Sequence, residues 1–333
     1  MSLLILNKLD VEQLLSMRRC IDLMRDALRS LARGEVVLPL RPVLRVPGSP
    51  NVFAVMPAYS APLKAIATKL ISVFPGNHRR AFESHQGVVL LFDGEHGNPL
   101  AIIDAVSITA IRTAAVSAVA TGLLARTDAA VLGVLGAGVQ ARTHIEAMMQ
   151  VRPFRRIRVW SRTSARARDV AAEAATRFNV DVDAVPDARA AIHDADVICT
   201  VTAAREPVLS AAWLKPGAHI NAVGASLPDA RELDSETVKR ARVFVDRRES
   251  ALNEAGDLLI PMREGVIGAD HVVAEIGELL VDNASGRRAP DEITLFKSLG
   301  IAVEDLACAR FLHEAAERDG VGTRVEMGNA VPA

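Results

Sequence analysis

The stretch Ala130-Val-Leu-Gly-Val-Leu-Gly-Ala-Gly-Val-Gln-Ala141 decides the fold, because an apolar strand runs into a glycine turn and then into a helix. Gly136 permits a tight turn, Gly138 lets the backbone approach a ligand, and Ala141 is small enough for the helix to pack closely on the strand. The N–H groups at the start of such a helix attract a pyrophosphate. The stretch therefore predicts a dinucleotide site, with an ordinary strand–helix turn as the alternative.

The next predicted strand indicates which dinucleotide is bound. It runs from Ile157 to Trp160 and continues as Ser161-Arg162-Thr163. An NAD enzyme usually has Asp or Glu here, bonded to the ribose 2′-hydroxyl. A hydroxyl and a guanidinium suit a 2′-phosphate instead, so we predict NADPH as the cofactor, with NADH as the second choice. The alternative is that Arg162 and Arg166 are ordinary solvated charges on the following helix.

Composition excludes several classes of protein. The 333 residues carry a net charge of −1, so no global field draws the chain to nucleic acid or to an acidic membrane. The cysteines Cys20, Cys199 and Cys308 are far apart, and the histidines show no metal-ligand spacing. The apolar N-terminal run is too short for a signal peptide. We expect a cytoplasmic protein with neither a metal nor a nucleic-acid or membrane partner.

The pattern of predicted elements changes near residue 106. A helical segment over residues 8–33 is followed by strand-like runs separated by turn residues, which predicts a mainly antiparallel sheet. After residue 106, strands and helices alternate, which predicts a parallel, doubly wound sheet of the Rossmann type. We place an α+β domain at residues 1–112 and the nucleotide-binding domain at 113–299. A C-terminal helix over about residues 300–320 completes the first domain.

Individual elements follow from the same patterns. The strands predicted in the first part are Pro42–Val46, Val52–Tyr59, Ala65–Phe74, Gly87–Phe92 and Leu100–Asp104. Those predicted in the second part are Val131–Leu135, Ile157–Trp160, Val197–Val201, His219–Val223 and Val243–Asp246. Helical segments are predicted at Ala269–Asn283 and Ala302–Glu317, and the tail from Gly320 is predicted to be a loose end.

One apolar segment carries a single charge. From Ala105 to Ala125 the only charged residue is Arg112. An arginine near the centre of a membrane span costs roughly 3 kcal/mol, so we predict a buried helix from Ser107 to Leu124. A buried arginine needs an anionic partner. That partner is either an internal carboxylate such as Asp104 or the carboxylate or phosphate of a ligand.

Two further cations fall in predicted strands. Lys69 shares a strand face with Ala67, Ile71 and Val73, and a lysine on an apolar face is costly unless it is paired. The alternative is a side chain that reaches solvent at the sheet edge. With Arg45 and Arg112, Lys69 suggests a cationic pocket for a small carboxylate-bearing substrate. A nicotinamide cofactor would supply the hydride chemistry.

Several runs of residues, in order, resemble the ornithine cyclodeaminase/mu-crystallin family along nearly the whole chain. The runs are Met56–Ser60, Thr68–Leu70, Ser84–Gln86, Ile108–Ser117, Leu135–Ala141, Ala218–Ser226 and Phe296–Gly300. The resemblance implies a Rossmann domain, an N-terminal substrate-binding sheet that pairs with a second subunit in a homodimer, and oxidoreductase chemistry on C=N or CH–NH groups of amino or imino acids.

The resemblance also implies roles for individual residues. It assigns Lys69 and Arg112 to catalysis and Arg45, Lys69, Arg112 and Ser226 to the substrate. The residues that it places around the cofactor are Ser84, His85, Gln86, Arg112, Thr113, Gly136, Ala137, Gly138, Val139, Gln140, Ser161, Arg162, Thr163, Thr202, Val223 and Ser298.

One departure separates activities within the family. Cyclodeaminases have an acid/base aspartate after Asn-Ala-Val-Gly, whereas this chain has Ser226 there. A serine hydroxyl is a very weak base, so we predict reduction of cyclic ketimines, giving proline from Δ1-pyrroline-2-carboxylate or pipecolate from Δ1-piperideine-2-carboxylate. Asp229 could replace the missing aspartate. The alternatives are a cyclodeaminase, an alanine- or opine-type dehydrogenase, and a non-enzymic protein that binds a small molecule.

Overall fold

The structure is a computed structural model that describes residues 2–79 and 82–328. It divides into a first unit, residues 1–112 with 301–333, and a second unit, residues 113–300. The described strands are β1 (Ser2–Leu6), β2 (Val36–Val37), β3 (Val43–Arg45), β4 (Val52–Ser60), β5 (Ala65–Val73), β6 (His85–Asp93), β7 (Pro99–Asp104), β8 (Val131–Leu135), β9 (Arg156–Trp160), β10 (Asp181–Ala184), β11 (Val197–Thr200), β12 (His219–Ala222), β13 (Arg242–Val245), β14 (Val272–Glu275), β15 (Thr294–Lys297) and β16 (Thr323–Glu326).

The α-helices of the described chain lie between and after these strands. They are α1 (Lys8–Leu14), α2 (Met17–Ala32), α3 (Ala105–Leu124), α4 (Val139–Met149), α5 (Ser164–Phe178), α6 (Ala188–Ile192), α7 (Ser235–Arg240), α8 (Arg248–Glu254), α9 (Gly256–Arg263), α10 (Ile276–Leu280) and α11 (Ala302–Asp319). Short 3-10 turns occur at Pro75–Arg79, Ala211–Trp213 and Ala269–His271.

The first unit is built on a mixed sheet in the order β16-β1-β7-β6-β5-β4-β2, with β3 also paired to β4. Every pair is antiparallel except β1 with β7. Helix α11 packs on β4, β5 and β6 and also contacts α2. The sheet face under α11 is buried, as Met56, Ala67 and Val89 show. The predicted antiparallel character of this sheet is confirmed.

Two predictions for the first unit are wrong. The helix predicted over residues 8–33 is two helices, because Leu15 is extended and the Ser16 hydroxyl caps α2 by accepting from the Arg19 N–H. The tail is also not loose at residues 323–326, since β16 pairs antiparallel with the edge strand β1. Backbone pairing with a free strand edge fixes this segment, although its side chains are exposed. Residues 329–333 of the predicted tail lie outside the described residues.

Helix α3 begins at Ala105, two residues before the predicted start. Asp104 accepts hydrogen bonds from the Ser107 N–H (2.7 Å) and hydroxyl (2.6 Å), which stabilises the first turn. The helix is long and apolar enough to cross a membrane, but 72% of its most apolar window is buried inside the protein. It is therefore a core helix, as predicted, and the division between the units falls within it, after Arg112.

The second unit is a fully parallel sheet in the order β10-β9-β8-β11-β12-β15-β13-β14. Its central strands β8, β11, β12, β15 and β13 are almost entirely buried, as expected for a parallel sheet with both faces covered, whereas β9 and the edge strand β10 are partly exposed. The predicted α/β fold class is confirmed. The helix predicted at Ala269–Asn283 is wrong in its first half, because Val272–Glu275 forms strand β14 beside β13, and a helix follows only at Ile276–Leu280. β-branched Val272 and Val273 suit that edge strand.

Candidate functional site

Lys69 lies in the middle of β5, opposite Met56 of β4 and Val89 of β6. Its side chain is 2% exposed, and its Nζ donates to the Thr109 hydroxyl (2.5 Å) and to Asp305 Oδ1 (3.1 Å). The alternative of a lysine that reaches solvent at the sheet edge is therefore wrong. A central strand offers no such route, so the charge is stabilised by a buried carboxylate instead.

Arg112 is also buried, with 4% of its surface exposed. Its Nη1 donates to Glu304 Oε2 (2.7 Å) and its Nε to Asp305 Oδ1 (3.3 Å). The sequence left open whether the anionic partner of Arg112 is internal or belongs to a ligand, and the structure shows two internal carboxylates. They are not Asp104, which instead bonds Ser107 at the start of α3.

One lysine and one arginine thus pair with two carboxylates in a buried cluster. The cluster consists of Lys69, Arg112, Glu304 and Asp305 and is called the cation cluster. Asp305 Oδ1 is shared by both cations, whereas its Oδ2 is buried and makes no hydrogen bond to any residue the structure describes. Burial lowers the pKa of Lys69 to about 8, Asp305 opposes this shift and Arg112 adds to it. At neutral pH the ammonium keeps its proton but can release it easily.

Sequence reasoning missed Glu304, Asp305 and Thr109. A signal for the two acids was present, because they lie side by side in Ile301-Ala-Val-Glu-Asp-Leu-Ala-Cys-Ala309, an otherwise apolar helical run. Charges on a helix face that must be buried need partners of opposite sign. The run could have been matched with the lone charge of α3 and with the strand lysine.

Arg45 does not join the cation cluster. It lies opposite Val52 on β4, whereas Lys69 lies opposite Met56, so four residues of β4, roughly 13 Å of strand, separate their register positions. The Arg45 side chain is exposed and makes no hydrogen bond or ion pair with the described residues. Its guanidinium is available to an anion from solution.

The glycine turn of the second unit has the geometry that a dinucleotide requires. Gly136 has φ +127°, and a Cβ there would lie 2.6 Å from the Val201 carbonyl oxygen, so a side chain is excluded. Gly138 is the N-cap of α4 and provides no side-chain cap, and among the described residues no atom lies within 4 Å of its Cβ position apart from its chain neighbours. Ala141 is fully buried, while Val139 is 60% exposed beside the turn. An uncapped helix start facing open space fits a pyrophosphate.

The residues predicted for the 2′-phosphate follow the neighbouring strand. β9 pairs with β8 up to Leu135 and Trp160, and the Gly136 N–H donates to the Trp160 carbonyl (2.8 Å). Ser161 is half-buried and its hydroxyl accepts from the Thr163 N–H (3.3 Å). Thr163 is the N-cap of α5 and makes no side-chain cap hydrogen bond. Exposed Arg162 has no hydrogen bond or ion pair within the described chain. Its charge and the glycine turn therefore lie at one edge of the sheet.

Three more predicted cofactor residues follow adjacent strands at that edge. Thr202 comes after β11, Val223 after β12 and Ser298 after β15. Ser298 is 1% exposed, and its hydroxyl has no hydrogen-bond partner among residues 2–79 and 82–328. A buried hydroxyl without a partner costs about 1–3 kcal/mol, so a polar ligand atom is the expected partner. The open helix start and this hydroxyl both fit a nicotinamide dinucleotide.

The other predicted residues are placed as follows. Ser84, His85 and Gln86 lie at the start of β6, where the Ser84 hydroxyl is 3.0 Å from His85 Nδ1. Thr113 is buried in α3, and Ala137 and Gln140 flank the glycine turn. Within the described part of the chain, no group of three or more His, Cys, Asp or Glu residues is arranged to hold a metal ion.

Ser226 is exposed in the irregular segment after β12. Asp229, the residue that could replace the missing aspartate, is also exposed, and its carboxylate is paired with the Arg205 guanidinium. The carboxylate is thus occupied by a cation of the chain itself.

Residues 1–320 match the model of the ornithine cyclodeaminase/mu-crystallin family. The chain is 46% identical to the ketimine reductase mu-crystallin of Mus musculus over 284 residues, 85% of this chain and 86% of that one. The structure is similar to Thermococcus litoralis Δ1-pyrroline-2-carboxylate reductase in complex with NADH and L-proline, with TM-score 0.95, 40% identity and coverage of 97% and 100%. It is also similar to an archaeal alanine dehydrogenase dimer with bound NAD, with TM-score 0.94, 32% identity and coverage of 98% and 100%.

Proposed function

The chain belongs to the ornithine cyclodeaminase/mu-crystallin family, and we propose that it is an NADPH-dependent reductase of cyclic ketimine carboxylates. Its substrates are Δ1-pyrroline-2-carboxylate and Δ1-piperideine-2-carboxylate, which give proline and pipecolate. The observation that carries the proposal is a buried Lys69, paired with Asp305, in a chain with Ser226 where cyclodeaminases have an aspartate. The ketimine reductase and pyrroline-2-carboxylate reductase relatives support it.

The chemistry follows from the residues of the cation cluster. Lys69 donates its Nζ proton to the ring nitrogen, which turns the imine into an iminium and makes its carbon a better hydride acceptor. The nicotinamide supplies the hydride when bound, and the C=N bond becomes a secondary amine. Exposed Arg45, outside the cluster, and Arg112, in addition to its internal carboxylates, bind the substrate carboxylate. Asp305 holds Lys69 in place, and solvent returns the proton after each turnover.

NADPH is the preferred cofactor in this proposal. The Arg162 guanidinium has no partner within the described chain, and no carboxylate competes for it between Trp160 and Ser164. A charge-assisted hydrogen bond to the 2′-phosphate contributes about 1.5–3 kcal/mol. NADH lacks that phosphate and binds as the weaker alternative.

We also propose that the enzyme is a cytoplasmic homodimer. The sheet face opposite Lys69 carries a cross-strand row of Tyr59, Ile66 and Phe92, and Phe53 and Leu44 extend it toward the edge. Ile66 is 39% exposed and Leu44 61% exposed. An apolar face of this kind is typical of an interface, and a second copy of the chain is its occupant. The three buried, unbridged cysteines support a reducing compartment.

The similarity to the archaeal alanine dehydrogenase favours a second candidate, the reductive amination of a 2-oxo acid. That reaction uses the same cation cluster for the carboxylate and the carbonyl-derived nitrogen. A purely binding role is not favoured, because a binding protein does not require a buried lysine and arginine.

A substrate panel tests the proposal. NADPH oxidation is followed with the two cyclic ketimines and with pyruvate plus ammonia, and release of ammonia is followed with L-ornithine plus NAD. We expect turnover of the ketimines and no release of ammonia from ornithine. Faster reaction with pyruvate and ammonia would establish the second candidate. Proline formation from ornithine at a rate comparable to imine reduction would show that a base such as Asp229 replaces the aspartate.

A further inference from the structure

A second set of buried charges lies in the second unit and has no role in the proposed chemistry. Glu232, Asp257 and Lys297 are each fully buried. Lys297, the last residue of β15, donates to Asp257 Oδ2 (2.9 Å). Asp257 Oδ1 accepts from the backbone N–H groups of Glu232 (2.8 Å) and Leu233 (3.1 Å). Asp257 therefore links the end of β15 to the segment that carries Glu232.

The Glu232 carboxylate joins the ends of two neighbouring strands. Oε1 accepts from the N–H (2.7 Å) and hydroxyl (2.8 Å) of Thr202, after β11. Oε2 accepts from the Thr200 hydroxyl (2.8 Å) and from the Gly224 N–H (2.7 Å), after β12. A Cβ on Gly224 would lie 2.0 Å from the Thr202 carbonyl oxygen and 2.6 Å from Glu232 Oε1. The two loops are thus in contact through the carboxylate.

The end of β15 is fixed on both sides of Ser298. Lys297 is held by Asp257, and the N–H groups of Leu299 and Gly300 donate to Asp246 Oδ2 (2.6 and 2.7 Å). Between these anchors stands the buried Ser298 hydroxyl, which lacks a hydrogen-bond partner in the described chain. Hydrogen bonds thus fix the backbone on both sides of Ser298, whose hydroxyl can bond a ligand.

Burying these charged side chains costs free energy of folding. The network holds two carboxylates and one lysine, which is paired with Asp257, and burial followed by the charge of Asp257 raises the pKa of Glu232. A buried ionic network is often no more stabilising than apolar residues of the same volume. The network instead fixes geometry, because it holds together the three loops that carry the predicted cofactor residues Thr202, Val223 and Ser298.

We propose that Glu232, supported by Asp257 and Lys297, is a positioning residue that sets the loops of Thr202, Val223 and Ser298 around the nicotinamide end of the cofactor. The inference rests on the proposed NADPH-dependent function. The proposed role concerns only the nicotinamide end of the cofactor, since Ser161 and Arg162 are assigned to the end that carries the 2′-phosphate. Loss of Glu232 should therefore weaken only ligands that carry a nicotinamide ring.

Binding of two ligands tests the proposal without an activity assay. The Kd values of NADP⁺ and of 2′-phospho-ADP-ribose, which lacks the nicotinamide, are measured by calorimetry for the parent and for Glu232→Gln. In either amide orientation, the glutamine NH₂ faces a backbone N–H of Thr202 or Gly224. We expect the Kd of NADP⁺ to rise about tenfold or more and that of the fragment to stay within about twofold.

Two further variants keep the test decisive. Glu264→Gln is the matched control, because Glu264 is an exposed carboxylate of the same unit that bonds Ser235 and Arg231, and both Kd values should be unchanged. If Glu232→Gln does not fold, Thr200→Val removes one of the four hydrogen bonds, keeps the side-chain shape, and should weaken NADP⁺ selectively.

The outcomes are distinguishable. Equal weakening of both ligands, or no weakening of either, would overturn the positioning role of Glu232 while leaving the proposed function intact. Failure of the parent protein to bind either ligand would overturn the proposed function, and the inference with it.

Discussion

At the residue scale the proposed chemistry centres on Lys69, because burial and two charged neighbours set its pKa. Burial lowers its pKa to about 8, Asp305 raises it, and Arg112 lowers it further. The group therefore titrates just above neutral pH, where a proton donor must both hold and release its proton. Removing either partner shifts that balance in a known direction.

The pH dependence of imine reduction tests this role of Lys69. Because the protonated form is required, kcat/KM should fall by about tenfold per pH unit above pH 8. Asp305→Asn removes the charge that raises the pKa, so the decline should begin at lower pH. Lys64→Met, which alters an exposed lysine just before β5, is the control and should leave the profile unchanged. A flat rate through pH 10 would remove Lys69 as the proton donor.

Arg112 is the second residue with a testable charge. Arg112→Ala leaves Glu304 and Asp305 buried without their arginine, so the free energy of unfolding should fall by about 3–5 kcal/mol. Urea unfolding of the ligand-free protein measures this. Arg310→Ala, which removes an exposed pair with Glu314 on the same helix α11, should change it by less than about 0.5 kcal/mol. Equal stability of Arg112→Ala and the parent would contradict the internal pairing.

At the scale of elements, the strand–turn–helix units determine cofactor choice. β8, the glycine turn and α4 provide a site for any dinucleotide, while the step from β9 to α5 discriminates between NADPH and NADH. Ser161 and Arg162 lie in this step, directly beside the glycine turn. Cofactor preference should therefore change without damage to the fold.

The double variant Ser161→Asp with Arg162→Ala should reverse the preference. It adds a carboxylate for the ribose hydroxyls and removes the cation for the phosphate, a change worth about 1.5–3 kcal/mol for NADPH. The parent should favour NADPH in kcat/KM by about 10- to 150-fold. Arg168→Ala, an exposed arginine further along α5, serves as the control. Equal kcat/KM for both cofactors in the parent would contradict the assignment.

The elements also show which parts of the fold were predictable. Both ends of strand β8, Val131–Leu135, agree with the prediction, because this parallel strand is a buried apolar run followed directly by a glycine turn. Strand β14 was mistaken for helix, since a four-residue edge strand has too few residues to show a period. Strand β16 was missed because only its pairing with the distant β1 fixes it.

The candidate site was predictable to a similar degree. Lys69 and Arg112 are recognisable in the sequence as charges in apolar segments, but their carboxylate partners on α11 are not. In the sequence, Asp305 lies 236 residues after Lys69, and Glu304 lies 192 residues after Arg112. The sequence also left open whether Arg112 pairs with an internal or an external anion. Only the packing of α11 on the sheet shows its internal partners, Glu304 and Asp305, and the contact with a substrate carboxylate is part of the proposal.

At the scale of the whole molecule, the apolar face of the first sheet is the surface that we propose binds a second copy of the chain. Ile66 alternates with Ala65 and Ala67 along β5, so it points away from α11 and from the Lys69 face. A charge at this position should oppose association without disturbing the buried side of the sheet.

Ile66→Lys should therefore convert the proposed dimer to a monomer in analytical ultracentrifugation. A lysine in the middle of an apolar interface must be desolvated without a partner, which weakens association strongly. Leu9→Lys, at a residue of α1 that is 72% exposed and lies outside this face, is the matched control and should remain dimeric. A parent protein that sediments as a monomer would contradict the dimer proposal.

The central claim is that this protein transfers a hydride from NADPH to the carbon of a cyclic C=N bond. Reduction of Δ1-pyrroline-2-carboxylate with NADPH deuterated at the transferable C4 position, followed by mass spectrometry of the product, tests it most directly. We predict proline with one deuterium at C2 for each NADPH oxidised, and no product from Lys69→Met. Unlabelled proline, or NADPH left unoxidised by both cyclic ketimines, would contradict the account.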